Sequence, residues 1–260
     1  MTLHIYCTGQ GKNVKICQAF AQGCGAPIVP PYPLLPGDVF MFGCLRGLLP
    51  TLRQAQREGR DWLYGDNGYF RPGRRISDKG FYRITRNAMQ HDGSGDFPPN
   101  RWEALKMPPI APWRKTGSHI VVCPPARLLA GILDFDADAW LADTLAKLRA
   151  ATDRQLRVRR KMSWKEVMAN AGPTLAEDLL DCWALVTHSS NAAVEALLAG
   201  VPAFCTNRCA AYRMTLHDPE QIETPAMPED REQWVWNLAA NQWNLEEMRN
   251  GICWRELREQ

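Results

Sequence analysis

Short apolar runs, each ending in a glycine- or hydroxyl-rich turn and followed by a helical stretch, recur along this chain. That alternation constrains the fold more than any other feature. Residues 3–7 read as a buried strand, Thr8-Gly9-Gln10-Gly11 as its turn, and the stretch to about residue 22 as a helix. Residues 38–42 repeat the strand, with Gly43 and a helical run to Gly59 behind it; residues 61–64 give a third, ending in Gly65-Asp66-Asn67-Gly68. The alternation restarts with a strand at 119–123 and an amphipathic helix over 136–152, where Trp140, Leu141, Leu145 and Leu148 share a stripe. A charged strand follows at 155–160, then helix over 163–181 broken at Gly172-Pro173, a strand at 183–187, a helix over 191–199 closed by Gly200, and a strand at 201–205. Repeated strand, short loop and helix predict an α/β fold with parallel sheets. Such sheets bind ligands at the carboxyl ends of their strands.

Residues 92–117 break the pattern with Pro98, Pro99, Pro108, Pro109 and Pro112 and the glycines 93, 95 and 117, a composition suited to a connection. A length of 260 residues accommodates two small domains. The expected organisation is one Rossmann-like domain over 1–117, a second over 118–230, and Trp-rich helices over 231–260 that cross back to the first. Trp234, Trp236, Trp243 and Trp254 would supply interdomain packing. The formal net charge of +3 conceals a contrast. Residues 1–118 hold 16 Lys and Arg against 8 Asp and Glu, whereas residues 119–260 hold 15 against 20. A basic half suggests a polyanionic partner.

No apolar run approaches the ~20 residues a membrane helix needs, and the first residues lack the basic and apolar regions of a secretory leader. The expected location is the cytoplasm, the host cytoplasm if the chain is phage-encoded. Nine cysteines without a C-x-x-C fit reduced, buried thiols better than a disulfide framework. Cys205, Cys209 and His217 lack a fourth ligand and zinc-like spacing, so no metal site is expected.

The segment from Val186 to Pro202 carries the chemistry. A buried strand ends in His188-Ser189-Ser190-Asn191 and a helix starts at once. Helix N-termini present unpaired N–H groups and a positive dipole end, and the serines add hydroxyls, so the turn suits a phosphate. Glu195, about one turn on, could accept hydrogen bonds from ribose or sugar hydroxyls. A serine that merely caps the helix would explain the same residues. The run nevertheless resembles the donor-site motif of GT-B glycosyltransferases, especially the H-S-S-x-x-x-x-E-A-L-x-x-G-x-P pattern of capsule-polysaccharide-type transferases. It matches at His188, Ser189, Ser190, Glu195, Gly200 and Pro202, with Asn191 inside the run. The resemblance implies a two-domain GT-B fold around a cleft, with a nucleotide-sugar co-substrate, its phosphates on the serines and its sugar or ribose on the glutamate. It further implies cations before the helix. Arg159 and Lys161 stand in that place by type, with a solvated edge strand as the alternative, and no other cofactor is expected.

Residues 69–86 set Arg71, Arg74, Arg75, Lys79, Arg83 and Arg86 against a single acid, Asp78, with Tyr69, Phe70, Phe81 and Tyr82 interleaved. Cations for phosphates and flat rings for bases are the ingredients of nucleic-acid contact, although an ordinary solvated hairpin has them too. For a general base, Asp66 at a strand end and His91 after the basic stretch are the candidates, and Asp-Asn-Gly is equally a turn sequence. No Asp-x-Asp occurs in the amino-terminal half. Asp134-x-Asp136 and Asp136-x-Asp138 begin a helix and read as capping acids. The chain also resembles small bacteriophage-encoded glycosyltransferases. The expectation is therefore a metal-independent GT-B transferase acting on a hydroxymethylated base in phage DNA. A capsule or surface-glycan enzyme is the first alternative and a non-catalytic nucleotide- or nucleic-acid-binding protein the second.

Overall fold

The computed structural model describes residues 2–9, 11–44, 47–70, 80–161, 166, 169 and 172–259. The chain divides into two compact units, one of Met1–His91, Asp96–Met107 and Trp236–Gln260, the other of Asp92–Gly95 and Pro108–Val235.

The first unit contains β1 (Leu3–Tyr6), α1 (Lys12–Cys24), β2 (Ile28–Val29), β3 (Asp38–Phe42), α2 (Leu48–Arg57), β4 (Trp62–Asn67), β5 (Phe81–Arg86) and α3 (Asn100–Leu105). The second contains β6 (His119–Cys123), α4 (Arg127–Leu133), α5 (Ala137–Ala151), β7 (Gln155–Val158), α6 (Leu175–Asp178), β8 (Cys182–Thr187), α7 (Ala192–Leu198) and β9 (Ala203–Cys205). Helix α8 (Arg231–Ala240) leads to β10 (Gln242–Asn244), α9 (Leu245–Arg249) and α10 (Ile252–Glu259), which belong to the first unit. The α/β class with parallel sheets is thus as expected.

In the second unit the strand order is β7-β6-β8-β9, all parallel. Strands β6 and β8 lie centrally and are buried along their whole length, so their sequences are nearly unbroken apolar runs. Edge strand β7 has neighbours on one side only and keeps a polar, mostly exposed sequence. Asp136 begins α5 as a cap: its carboxylate accepts the N–H groups of Asp138 (2.8 Å) and Ala139 (3.1 Å). Residues 111–114, read from sequence as connection, lie along the end of α7. The Ala111 N–H donates to the Leu198 carbonyl at 2.9 Å and the Arg114 N–H to that of Gly200 at 2.8 Å.

In the first unit the order is β10-β5-β4-β3-β1-β2. Strands β2, β1, β3 and β4 are parallel, but β5 and β10 are antiparallel additions, which corrects the expectation of a wholly parallel sheet. The tail is likewise not helical throughout, because Gln242–Asn244 pairs with β5. Trp243 on β10 is fully buried, with its indole N–H on Glu256 at 2.6 Å, and Trp254 packs edge-on against Phe20 of α1. Trp234 is buried in the second unit, donating to the Ala210 carbonyl at 2.8 Å. Among the described residues no helix is long and apolar enough to cross a membrane.

Candidate functional site

Because the second sheet is parallel, the carboxyl ends of its strands share one edge. Pro124-Pro125 follow β6, Arg159 follows β7, His188 to Asn191 follow β8, and Thr206-Asn207 follow β9. The chain enters this edge under tight control, the Thr187 hydroxyl donating to the Cys123 carbonyl at 2.7 Å.

His188 and Ser189 are buried. The imidazole Nδ1 lies 3.0 Å from the Ser189 hydroxyl oxygen, and Nε2 lies 3.4 Å from the Asn207 amide nitrogen. With the amide N–H donating to Nε2, the ring proton sits on Nδ1 and donates to Ser189. Phe135 stacks on the imidazole, centroids 4.2 Å apart and planes at 17°, while Trp140 meets it edge-on at 6.0 Å. The Trp140 indole N–H is itself anchored on the Thr206 hydroxyl at 2.8 Å. Phe135, Trp140 and Asn207 therefore surround His188 in the candidate site, with Thr206 anchoring Trp140, and the sequence reading did not assign them to it. The Ser190 hydroxyl oxygen accepts the Ala192 N–H at 3.2 Å in the turn into α7, Asn191 is the N-cap residue, and Glu195 is exposed on that helix.

Arg159 holds the expected place but not the expected posture. Its guanidinium is paired with Asp178 and donates to the Pro173 carbonyl at 2.8 Å. Lys161 is exposed. Arg159 lies beside the end of β6, its backbone N–H donating to the Val122 carbonyl at 2.8 Å. Burial chiefly, then Asp178 and Glu195 against Arg159, push the Cys123 thiol up to about 12. Cys205 and Cys209 are buried, and His217 stacks flat on Tyr212 at 3.7 Å with Nδ1 3.2 Å from the Cys205 carbonyl oxygen.

Burial holds the His188 imidazole below the ordinary histidine range. The unfolded chain then takes up a proton first as pH falls below about 6.5, so stability present above that value is lost down through the lower folded one. Going from about pH 7.5 to 5.5 should lower the melting temperature of the wild type more than that of His188→Gln, and equal decrements would remove His188 as the cause.

The candidate bases belong to the first unit. Asp66 is not in a turn: β4 runs on through Asn67, and Asp66 pairs in register with Arg83 of β5. Its carboxylate takes the Arg83 guanidinium at 3.3 Å and the Asn67 N–H at 2.7 Å. Arg83 lies over the Tyr69 ring, 5.0 Å from its centroid, and the Tyr69 hydroxyl oxygen accepts the His91 backbone N–H at 2.7 Å. Asp66 and His91 thus stand at two ends of one contact chain through Arg83 and Tyr69. Of the basic stretch, Arg83 is buried at 7 % exposure and Arg86 is paired with Asp61 at 2.9 Å, so neither stands as an unengaged surface cation. Arg71, Arg74, Arg75 and Lys79 lie outside the described residues.

Two solved structures share this fold. KpsC of Thermosulfurimonas dismutans, as a beta Kdo 2,4 transferase, superposes with a TM-score of 0.55 and 11 % identity over 93 % of this chain and 91 % of that one. The same organism's KpsC beta Kdo 2,7 transferase gives 0.55 and 12 % over 98 % and 100 %. The resemblance carried by the motif is thus borne out at the level of fold. No family model matches the sequence, and no curated protein matches it significantly.

Proposed function

We propose that this chain is a glycosyltransferase of the GT-B type, transferring a sugar from a nucleotide-sugar to a hydroxyl of a glycan acceptor. The observation that carries the reading is the His188-Ser189 pair, buried and doubly hydrogen-bonded at the carboxyl end of β8, in a fold shared with two Kdo transferases. The donor belongs to the second unit, its phosphate near Ser189 and Ser190 and its sugar or ribose near Glu195. We assign the exposed Lys161 rather than Arg159 to the leaving phosphate, since Arg159 is already engaged by Asp178. Asp66 or His91 takes the proton of the acceptor hydroxyl. The oxygen attacks the anomeric carbon, and the bond to phosphate breaks with its electron pair leaving on the nucleotide. No metal ion enters these steps.

A glycan acceptor is favoured over a DNA base because the two structural neighbours are named as beta Kdo transferases, and because Arg83 and Arg86 are engaged within the protein. DNA remains the testable rival, since its binding would weaken steeply with salt.

The deciding experiment is a thermal-shift screen over cytidine, uridine and guanosine nucleotide-sugars, followed by detection of the released nucleotide. A true donor at about a hundredfold its Kd should stabilise the fold by about 2.7 kcal/mol. If no nucleotide-sugar raises the melting temperature, the transferase reading falls.

A further inference from the structure

Asn207, in the turn after β9, lies outside the sequence motif, yet it faces the imidazole on which the proposed donor contact depends. Two backbone bonds dock that turn against the end of β8. The Thr206 N–H donates to the Thr187 carbonyl at 3.1 Å and the Asn207 N–H to the His188 carbonyl at 2.9 Å. The Asn207 side-chain oxygen accepts the Arg208 backbone N–H at 2.8 Å. A backbone N–H can only donate, so the amide atom beside it is the oxygen, and the amide N–H group is the one turned towards His188 Nε2 at 3.4 Å. We propose that Asn207 is a positioning residue: it fixes the His188 tautomer and thereby makes Ser189 a hydrogen-bond donor towards an anionic oxygen of the ligand, as a phosphate presents.

The direction follows one bond at a time. Burial holds the imidazole below the ordinary histidine range, so at about pH 7.5 it is neutral, with one N–H and one bare nitrogen. The Asn207 N–H needs the bare nitrogen at Nε2, and the ring proton is left on Nδ1. Nδ1 lies 3.0 Å from the Ser189 hydroxyl oxygen and donates to it. A hydroxyl that has accepted on its oxygen gives its own proton in another direction. Arg208, Asn207, His188 and Ser189 thus form a chain of bonds all polarised the same way. The opposite tautomer would set two N–H groups face to face at Nε2. It would also turn the Ser189 proton back to Nδ1 and present oxygen lone pairs to an anion.

The ring cannot evade this choice by turning over. Phe135 stacks on it at 4.2 Å, Trp140 meets it edge-on at 6.0 Å, and Trp140 is itself tied to Thr206, the neighbour of Asn207. His188 and Ser189 are 7 % and 6 % exposed, so water has little access to either bond. The inference rests on the donor reading only for the identity of the ligand oxygen; the tautomer itself is a property of the ligand-free chain.

Long-range proton–nitrogen spectra of the full chain with isotope-labelled histidine, taken without ligand at about pH 7.5, read the tautomer directly. His188, identified by its loss in His188→Gln, should show a protonated Nδ1 and a bare Nε2. Asn207→Asp keeps an acceptor for the Arg208 N–H but sets another opposite Nε2, so the ring proton should move to Nε2. Asn207→Ala should leave the two tautomers mixed. Uridine diphosphate and cytidine monophosphate serve as phosphate probes in calorimetry. Either should bind Asn207→Ala about fivefold more weakly than the wild type, and Asn207→Asp, which adds a charge as well, at least about tenfold more weakly. The inference is overturned if wild-type His188 carries its proton on Nε2, if Asn207→Ala keeps the wild-type tautomer, or if both variants bind a nucleotide as tightly as the wild type. If neither nucleotide binds the wild type, the donor reading falls, and the spectra still decide the role of Asn207. Because the wild-type spectrum needs no substitution, a variant that misfolds leaves the test intact.

Discussion

Replacing Gly200 with alanine should destabilise the second unit by about 3–5 kcal/mol. Gly200 closes α7 at φ +75°, where an alanine is strained by about 1 kcal/mol. The larger cost is space. An added Cβ would stand 2.1 Å from the Pro112 carbonyl oxygen and 3.0 Å from its carbon, which are backbone atoms with no rotamer to change. Making room means lifting residues 111–114. That breaks the hydrogen bonds from Ala111 to Leu198 and from Arg114 to Gly200, each worth about 1 kcal/mol. It also disturbs Arg231, which donates to the Leu197 carbonyl at 2.8 Å and the Ala111 carbonyl at 2.5 Å while lying over the Trp113 ring. Gly25→Ala supplies the control, since Gly25 has φ +73° but nothing within 4 Å of its Cβ position, so only the conformational cost of about 1 kcal/mol applies. Urea unfolding of the two variants should separate them; equal losses would mean that the close approach to Pro112 does not matter.

The glycine shows what the sequence can and cannot disclose. The motif marks Gly200 as a helix terminator, but the strap that forbids any other residue comes from residues 111–114, which read as plain connection. The same divide runs through the fold. Strands β6 and β8 were legible because burial on both faces leaves apolar residues at successive positions, a local signal. Residues Gly65 to Asn67 of β4 looked like a turn because Gly, Asp and Asn have poor strand propensity. They are strand because β5 pairs with them. The Gln242–Asn244 strand is set by Phe81 to Arg83, far away in sequence. In the site, His188 to Asn191 were visible as contiguous residues at a strand end. Phe135, Trp140 and Asn207 were not, because they reach His188 from two other segments, the start of α5 and the turn after β9. Arg159 could be placed by counting along β7, but its partner Asp178 sits on α6, and only the tertiary fold shows that the charge is already engaged. A cation-rich sequence reports composition, not whether each cation faces solvent, and Arg83 is the instance.

Asp66→Asn should lower transfer by about 10²–10⁴-fold while leaving donor binding unchanged, if Asp66 is the base of the proposed reaction. The structure makes the substitution informative because the carboxylate is positioned from two sides, by Arg83 at 3.3 Å and by the Asn67 N–H at 2.7 Å. Asparagine keeps the shape but has one acceptor oxygen, so it can hold the Asn67 N–H or the Arg83 guanidinium and not both as the carboxylate does, and it cannot take a proton. The stability cost should be small. The Asp66 side chain is 35 % exposed, so solvent screens its pairing with Arg83 and the loss should stay at about 1 kcal/mol or less. A large fall in turnover with a melting temperature lowered by no more than about 4 °C would then report chemistry and not unfolding. The residues proposed to bind the donor lie in the other unit, so nucleotide affinity measured by calorimetry should match the wild type. His91→Ala provides the comparison: its backbone N–H still reaches the Tyr69 hydroxyl, so the contact chain survives and only the imidazole is lost. If His91→Ala abolishes transfer and Asp66→Asn does not, the base is the histidine, and Asp66 serves to hold Arg83 in the sheet.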